Sequence, residues 1–287
     1  MKGLMRGYAR PTFQRSLIFG CLALSLSGCP RSSRMMSWPE YTRHSYQWPY
    51  ILNIYTDRGA LLYFGAKHSN DPRDAQFAEI EALWKQFQPQ LAFNEGGDPP
   101  VAPTRDEAIM RFGEPGLIRF LAARDKIPVR SIDPTRAEEV AILEKKFPPE
   151  KIKMFFILRQ LSEYGRIIQP PESREDHLRN VIDILGLVPG LDVPPKSVSE
   201  LEPTFARNFP SLGDYRDANP GWFDPTLNQT AFNQIARYSS EYRDRYMVDL
   251  ICRRVCGGNR VFAVVGASHV VMEEPAVRSR LRQKCAP

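Results

Sequence analysis

The chain has 287 residues, 43% of them apolar and 25% charged, with a formal charge of +6. That composition is globular and excludes a disordered or fibrous chain. Residues 1–28 hold Lys2, Arg6, Arg10 and Arg15 and no acid, so they carry +4 of the +6 and leave only +2 for the rest. A basic nucleic-acid-binding footprint is excluded on that ground, and nucleic acid is not an expected partner.

Residues 1–15 are basic and polar, and residues 16–26 form a short apolar run. The run is too short for the ~20 apolar residues that span a bilayer, but it suits the core of a signal peptide. Leu26-Ser27-Gly28-Cys29 resembles the bacterial lipobox. The resemblance implies a signal over 1–28, acylation of Cys29, and anchoring to a membrane through that lipid. The alternative is an ordinary signal peptide with a chance cysteine. Pro30 follows, and the lack of Asp there favours, by resemblance to enterobacterial sorting rules, the outer membrane facing the periplasm. Residues 29–50 read as a tether, and residues 51–287 as one domain.

Two strands, Ile51–Tyr55 and Leu61–Gly65, flank the hairpin signal Asp57-Arg58-Gly59. Phe77, Ile80, Leu83, Trp84 and Phe87 recur at helical spacing over 74–87, and Pro89 ends the helix. A strand at 91–95, a Gly- and Pro-rich loop, a helix to about Arg124 and a strand at 128–132 follow. This βαβαβ order predicts an α/β fold: a mostly parallel central sheet with helices on both faces and an N-terminal hairpin strand. Residues 136–163 and 173–186 read as helices, broken at Pro148-Pro149 and Pro170-Pro171. The 187–228 segment reads as a long irregular loop, of the kind that is functional or a lid. A long helix over 228–255 is capped by Gly257-Gly258. The apolar run Val261–Val265 reads as a buried parallel strand. A short helix from Glu274 closes the chain.

Once Cys21 leaves with the signal and Cys29 is acylated, Cys252, Cys256 and Cys285 remain in an oxidising compartment. Three is odd, so at most one bridge forms. The final helix returns towards the start of the last strand, which places Cys285 near Cys252 and Cys256 and predicts a bridge to one of them. A CxxxC pair with no nearby His is a poor zinc site.

The chemistry gathers at strand ends. Gly65-Ala66-Lys67-His68 and Gly266-Ala267-Ser268-His269 share one form, an apolar strand followed by Gly-x-x-His. Glycine lets the backbone turn sharply there, and ligands of open α/β sheets bind at the carboxyl edge. Glu95 ends a third strand. Two His and one Glu suit a catalytic divalent ion, so His68, Glu95 and His269 are the expected metal ligands. Asp133, Asp244 and Trp222 are candidate cleft residues. Asp133-Pro134 is also a plain turn starter, and Trp222 serves equally as a core anchor of the long loop. Arg243, expected at the cleft rim, suits an oxyanion or a carboxylate, but also reads as a surface helix residue paired with Glu241, Asp244 or Asp249. Glu273 and Glu274 read as acids favouring the start of the last helix. His44 and His177 read as solvated. Ser268 is not a nucleophile elbow, since Val270 stands where GxSxG needs glycine.

The paired GxxH, the following Glu95 and Arg243-Asp244-Arg245-Tyr246-Met247 resemble the superfamily of the Tiki and TraB/GumN proteins, erythromycin esterase and the haem-binding lipoprotein ChaN. The match spans most of residues 50–275 but rests on four short motifs. It implies an α/β sheet with helices on both faces, and carries His68, Glu95, Arg243 and His269 over as catalytic residues. The expected activity is a metal-assisted hydrolase, a peptidase or esterase, in a lipid-anchored envelope protein. The alternative is a haem- or iron-binding lipoprotein of ChaN type, with the same histidines on haem iron. A third is a domain that keeps these residues for structure.

Overall fold

A computed structural model describes residues 34–164 and 172–285. The expected signal segment, Cys29 and the Pro170-Pro171 break lie outside the described residues. Among the described residues, five strands form one sheet in the order β1-β2-β5-β3-β4. In chain order they are β1 (Tyr50–Tyr55), β2 (Ala60–Ala66), β3 (Leu91–Asn94), β4 (Val129–Ser131) and β5 (Arg260–Gly266). The hairpin pair β1–β2 is antiparallel, and β2–β5, β5–β3 and β3–β4 are parallel. The sheet is therefore mixed and mostly parallel.

Strand alternation sends side chains to two cores. Leu61 and Tyr63 of β2 and Val261, Ala263 and Val265 of β5 pack with Met247, Val248 and Ile251 of α8 (Ala231–Cys256) and Val270 and Val277 of α9 (Ala267–Lys284). The intervening Leu62, Phe64, Phe262 and Val264 pack with Phe77, Ile80 and Trp84 of α2 (Ala75–Phe87) and Ile118 and Leu121 of α3 (Arg105–Asp125). Helices thus cover both faces, and the central strands are apolar throughout because neither face meets water. A third core contains no strand residue. It joins α4 (Arg136–Leu143), α5 (Pro149–Tyr164), α6 (Arg174–Gly186), α7 (Leu201–Asn208) and the amino-terminal end of α8, with Leu191 and Phe209 from the connecting segments.

Several expectations change. The 187–228 segment is not irregular throughout: it contains α7 and three single 3₁₀ turns, and its Leu201, Phe205, Phe209 and Tyr215 are buried. Aromatic packing orders it, with Trp222 stacked between Phe205 at 6.0 Å and Phe232 at 5.9 Å. The last helix is not short. It starts at Ala267, directly on leaving β5, and carries Pro275 in its interior. Residues 34–50 are not a bare tether. They include a one-turn helix, α1 (Trp38–Tyr41), whose Trp38 is buried, and the Met36 amide donates to the Met272 carbonyl. His44 is exposed, as expected, but His177 stacks on Tyr164 at 4.7 Å and faces Glu172 at 2.9 Å, because α6 packs on the end of α5. Among the described residues, no helix is long and apolar enough to cross a membrane.

Candidate functional site

The two GxxH segments start alike and finish differently. In the first, Gly65 and Ala66 end β2, and the chain leaves the sheet as a loop with His68 at φ 50°, a left-handed conformation uncommon for a non-glycine residue. In the second, Gly266 ends β5 and Ala267 begins α9, so His269 sits in the first turn of a helix. Gly266 has φ −57°, so it supplies no left-handed turn. Its missing side chain makes room: a methyl group there would lie 2.7 Å from His68 Nε2 and 3.5 Å from Glu95 Oε2.

Because β2, β5 and β3 are adjacent and parallel, His68, His269 and Glu95 leave one sheet edge, as expected, and all three line one cleft of about 410 Å³. Glu95 is the hub. Its Oε1 accepts from Arg243 Nη2 at 2.6 Å and lies 3.4 Å from His269 Nε2, and its Oε2 accepts from the Gly266 amide at 2.7 Å. Arg243 lies in the wall rather than at the rim, at 11% side-chain exposure, and its partners are Glu95 and Asp133, not the acids near it on its own helix. Asp133 takes both Nε and Nη2 of Arg243 on Oδ1, while its Oδ2 accepts from the Gly96 amide. Burial opposes charge on Glu95, but His269 and Arg243, with His68 behind them, hold its carboxyl well below the usual range. Burial also opposes the Arg243 charge, and Glu95 and Asp133 outweigh it to raise the guanidinium.

Each imidazole is buttressed at Nδ1. Asp244 Oδ1 lies 2.5 Å from His269 Nδ1, and Asp244 is 1% exposed. Glu114 Oε2 lies 3.4 Å from His68 Nδ1, while Glu114 Oε1 accepts from the Ser69 amide at 2.8 Å and from Gln76 Nε2 at 3.2 Å. A non-helical Gly113 inside α3 kinks that helix and delivers Glu114. The Glu114 contact raises the His68 imidazole above its usual value, against burial, with help from Glu95. Burial lowers His269, but Glu95 and Asp244 prevail and lift it well above the ordinary imidazole range. The His68 side chain is 65% exposed and that of His269 11%, so His68 is the accessible imidazole.

Behind His269 lies a residue that the sequence reading misplaces. Glu273 does not favour a helix start. It is fully buried one turn along α9, accepts from Tyr63 Oη at 2.9 Å on Oε2, and among the described residues has no hydrogen-bond partner on Oε1. Burial, and then the charge of Asp244, pushes its carboxyl well above the usual range. Glu274 pairs with Tyr50 and Arg278. Sequence reasoning also misses Glu114, though Gly113-Glu114-Pro115-Gly116 inside a helical stretch is a local signal for a kink. The clue to Glu273 is its i+4 spacing from His269 on one helix face.

The cleft walls come from the amino-terminal segment (Trp38, Tyr41), from the 220–226 loop (Phe223, Asp224) and from Met272 of α9. Trp222 is the core anchor, while its neighbour Phe223 reaches the cleft.

The expected ligand set, His68, Glu95 and His269, does not fit a single divalent ion. Arg243 already occupies Glu95 Oε1, and His269 Nε2 faces that same oxygen. A ligand oxygen beside a guanidinium would hold the ion against a like charge. Among the described residues, the group whose donor atoms all lie within 4.8 Å of one another is Asp244, His269 and Glu273.

Fold and site together define an α/β protein with a charged, imidazole-bearing cleft at the carboxyl edge of a mostly parallel sheet. No family model, curated protein or solved structure matches the chain.

Proposed function

We propose that the chain is a hydrolase acting on a peptide or ester carbonyl bound in the strand-end cleft. The observation that carries this is the meeting of His68, His269 and Glu95, from three adjacent strand ends, beside the Arg243 guanidinium. Residues so far apart in sequence share a cleft only because the topology brings them there. His68, accessible and held at Nδ1 by Glu114, takes a proton from water on Nε2 as general base. Glu95 fixes the Arg243 guanidinium, and that cation faces the negative charge developing on the carbonyl oxygen. His269 points Nε2 at Glu95 and keeps that carboxylate in place. The paired GxxH and the Arg243 helix support membership of the superfamily of Tiki, TraB/GumN, erythromycin esterase and ChaN as part of the same proposal. The test is turnover of ester and peptide libraries by the purified full chain. His68→Ala and Glu95→Gln are expected to cut the rate about 10²–10⁴-fold with the fold intact. Equal turnover by the wild type and both variants overturns the reading.

A second reading, a haem- or iron-binding protein, is favoured by one observation: the accessible His68 stands in a cleft whose walls include Trp38, Tyr41, Phe223 and Met272. Aromatic side chains and a methionine beside an accessible imidazole fit a haem plane and its axial ligand. A Soret band on haem addition, lost in His68→Ala, supports it.

We further propose, from the sequence of residues 16–29, an envelope lipoprotein acylated at Cys29. Cys29→Ala is expected to abolish lipid labelling and to release the chain from the membrane fraction.

A further inference from the structure

We infer that Asp244, His269 and Glu273 form a divalent-cation site behind the cleft, displaced from the histidine pair that the sequence motif suggests. The three come from two helices, Asp244 from α8 and the His269–Glu273 pair one turn apart on α9. Their donor atoms all lie within 4.8 Å of one another. Asp244 and Glu273 are 1% and 0% exposed. Two buried carboxyl groups at that spacing need a cation or a proton between them.

An independent observation points to a ligand. Glu273 Oε1 is buried with no hydrogen-bond partner among the described residues, while its Oε2 is fixed by Tyr63. An orphaned carboxyl oxygen in a sealed site is costly, and an ion at this position would remove the cost. The surroundings also match what metal ligands need. A ligating imidazole usually donates its other ring N–H to a carboxylate, which fixes the ring. With Nδ1 of His269 given to the ion, Nε2 faces Glu95 Oε1 at 3.4 Å, and Glu95 is itself held by Arg243 and the Gly266 amide. Tyr63 orients the Glu273 carboxylate in the same manner. Ion binding would displace the proton held between His269 Nδ1 and Asp244 Oδ1 and release it to solvent.

Two carboxylates and one imidazole are oxygen-rich, borderline donors. They suit Mn²⁺, Fe²⁺, Co²⁺ or Zn²⁺ and are unlike a structural thiolate site. Asp244 and His269 also line the cleft, so the site lies against the inner side of its wall. His68 is then no ligand. The site does not depend on the hydrolase reading, since ion binding is read without turnover.

The experiment uses the full chain, stripped with chelator and titrated with Mn²⁺ or Zn²⁺ alone. Elemental analysis after dialysis gives stoichiometry, and calorimetry gives affinity. One ion per chain is expected, with affinity at least 100-fold weaker in Glu273→Gln and Asp244→Asn and within twofold of wild type in His68→Ala. Because the buried variants can fail to fold, ¹⁵N shifts of the wild-type histidines on adding Zn²⁺ serve as a second measurement. The large change is expected at His269 Nδ1. The inference is overturned if the wild type retains no ion, which is the result for two carboxyls that merely share a proton. It is equally overturned if His68→Ala loses the ion while Glu273→Gln keeps it, or if the shift falls on Nε2.

Discussion

His68 lies over Gly266: a methyl group on that glycine would stand 2.7 Å from Nε2 of the imidazole, inside any real contact. The two GxxH segments are thus coupled, one strand's glycine being the floor on which the other strand's histidine rests. Gly65 is tight in another way, since a methyl group there would meet the Ala267 Cα and the Tyr50 carbonyl oxygen, each at 2.8 Å. His68 is an exposed side chain that can swing away, whereas backbone cannot. Gly266→Ala is therefore expected to displace His68 and suppress turnover with little loss of stability. Gly65→Ala is expected to destabilise the fold by about 1–3 kcal/mol. Urea melts of the two variants beside their activities separate these outcomes, and equal melts would contradict the coupling.

The acid limb of the rate–pH profile tests the Glu114 buttress. Contact with Glu114 raises the His68 imidazole, and a general base works only when neutral. Wild-type activity should therefore rise with pH through a value above the ordinary imidazole range. Glu114→Gln removes the charge, so the limb should move to lower pH. A limb that stays in place would remove His68 as the base.

The mostly parallel sheet and its two covered faces are legible in the sequence because the central strands are continuous apolar runs and α2 shows clean helical spacing. The convergence of His68, Glu95 and His269 follows from parallel strands having one carboxyl edge. The partners of those groups are legible only in part: Asp244 stands out in the sequence as a candidate cleft residue, whereas Glu114 and Glu273 act through three-dimensional contacts, and a buried acid in a helix reads in sequence like a solvated one. Glu273 reads as a helix-start acid because Pro275 suggests a late start, whereas α9 begins at Ala267 and tolerates that proline. The aromatic segment at 34–50 reads as a tether for its polarity, but Trp38 and Tyr41 reach the cleft.

Arg243 joins two acids at 15% and 17% side-chain exposure. Arg243→Met takes the shared cation from both, leaving Glu95 with His269 and the Gly266 amide and Asp133 with the Gly96 amide, and breaking a buried ion pair costs about 3–5 kcal/mol. Since Glu95 is held well below its usual value partly by Arg243, its contribution to stability is present above the unfolded carboxyl value, near ~4.3, and is lost as pH falls through the lower folded one. In Arg243→Met the acid loss should begin at higher pH. Adding Glu95→Gln should then cost less than it does in wild type, because the charge it removes has already lost one of its two close cationic partners. Urea melts at stepped pH from neutral into the acid range check both points, and strict additivity would show that the two side chains are uncoupled.

The bridge is settled by helix geometry. Either Cys252 or Cys256 is compatible with the sequence, and Cys285 pairs with Cys256 at a Cα–Cα distance of 4.9 Å. Cys252 lies one turn earlier on α8, buried outside the bridge. The end of α9 thereby clamps the end of α8, and both helices carry site residues: Arg243 and Asp244 on one, His269 and Glu273 on the other. A loop closed across a sequence separation of 29 restricts the unfolded chain by about 3.5 kcal/mol on the loop-closure estimate. The double variant Cys256→Ser, Cys285→Ser should lose about that much stability, while Cys252→Ser leaves the bridge in place. Peptide mapping of non-reduced protein exported to an oxidising compartment should recover a Cys256–Cys285 pair. Recovery of Cys252–Cys285 instead would require the last turn of α8 to rotate, and would contradict the packing that sets Asp244 against His269.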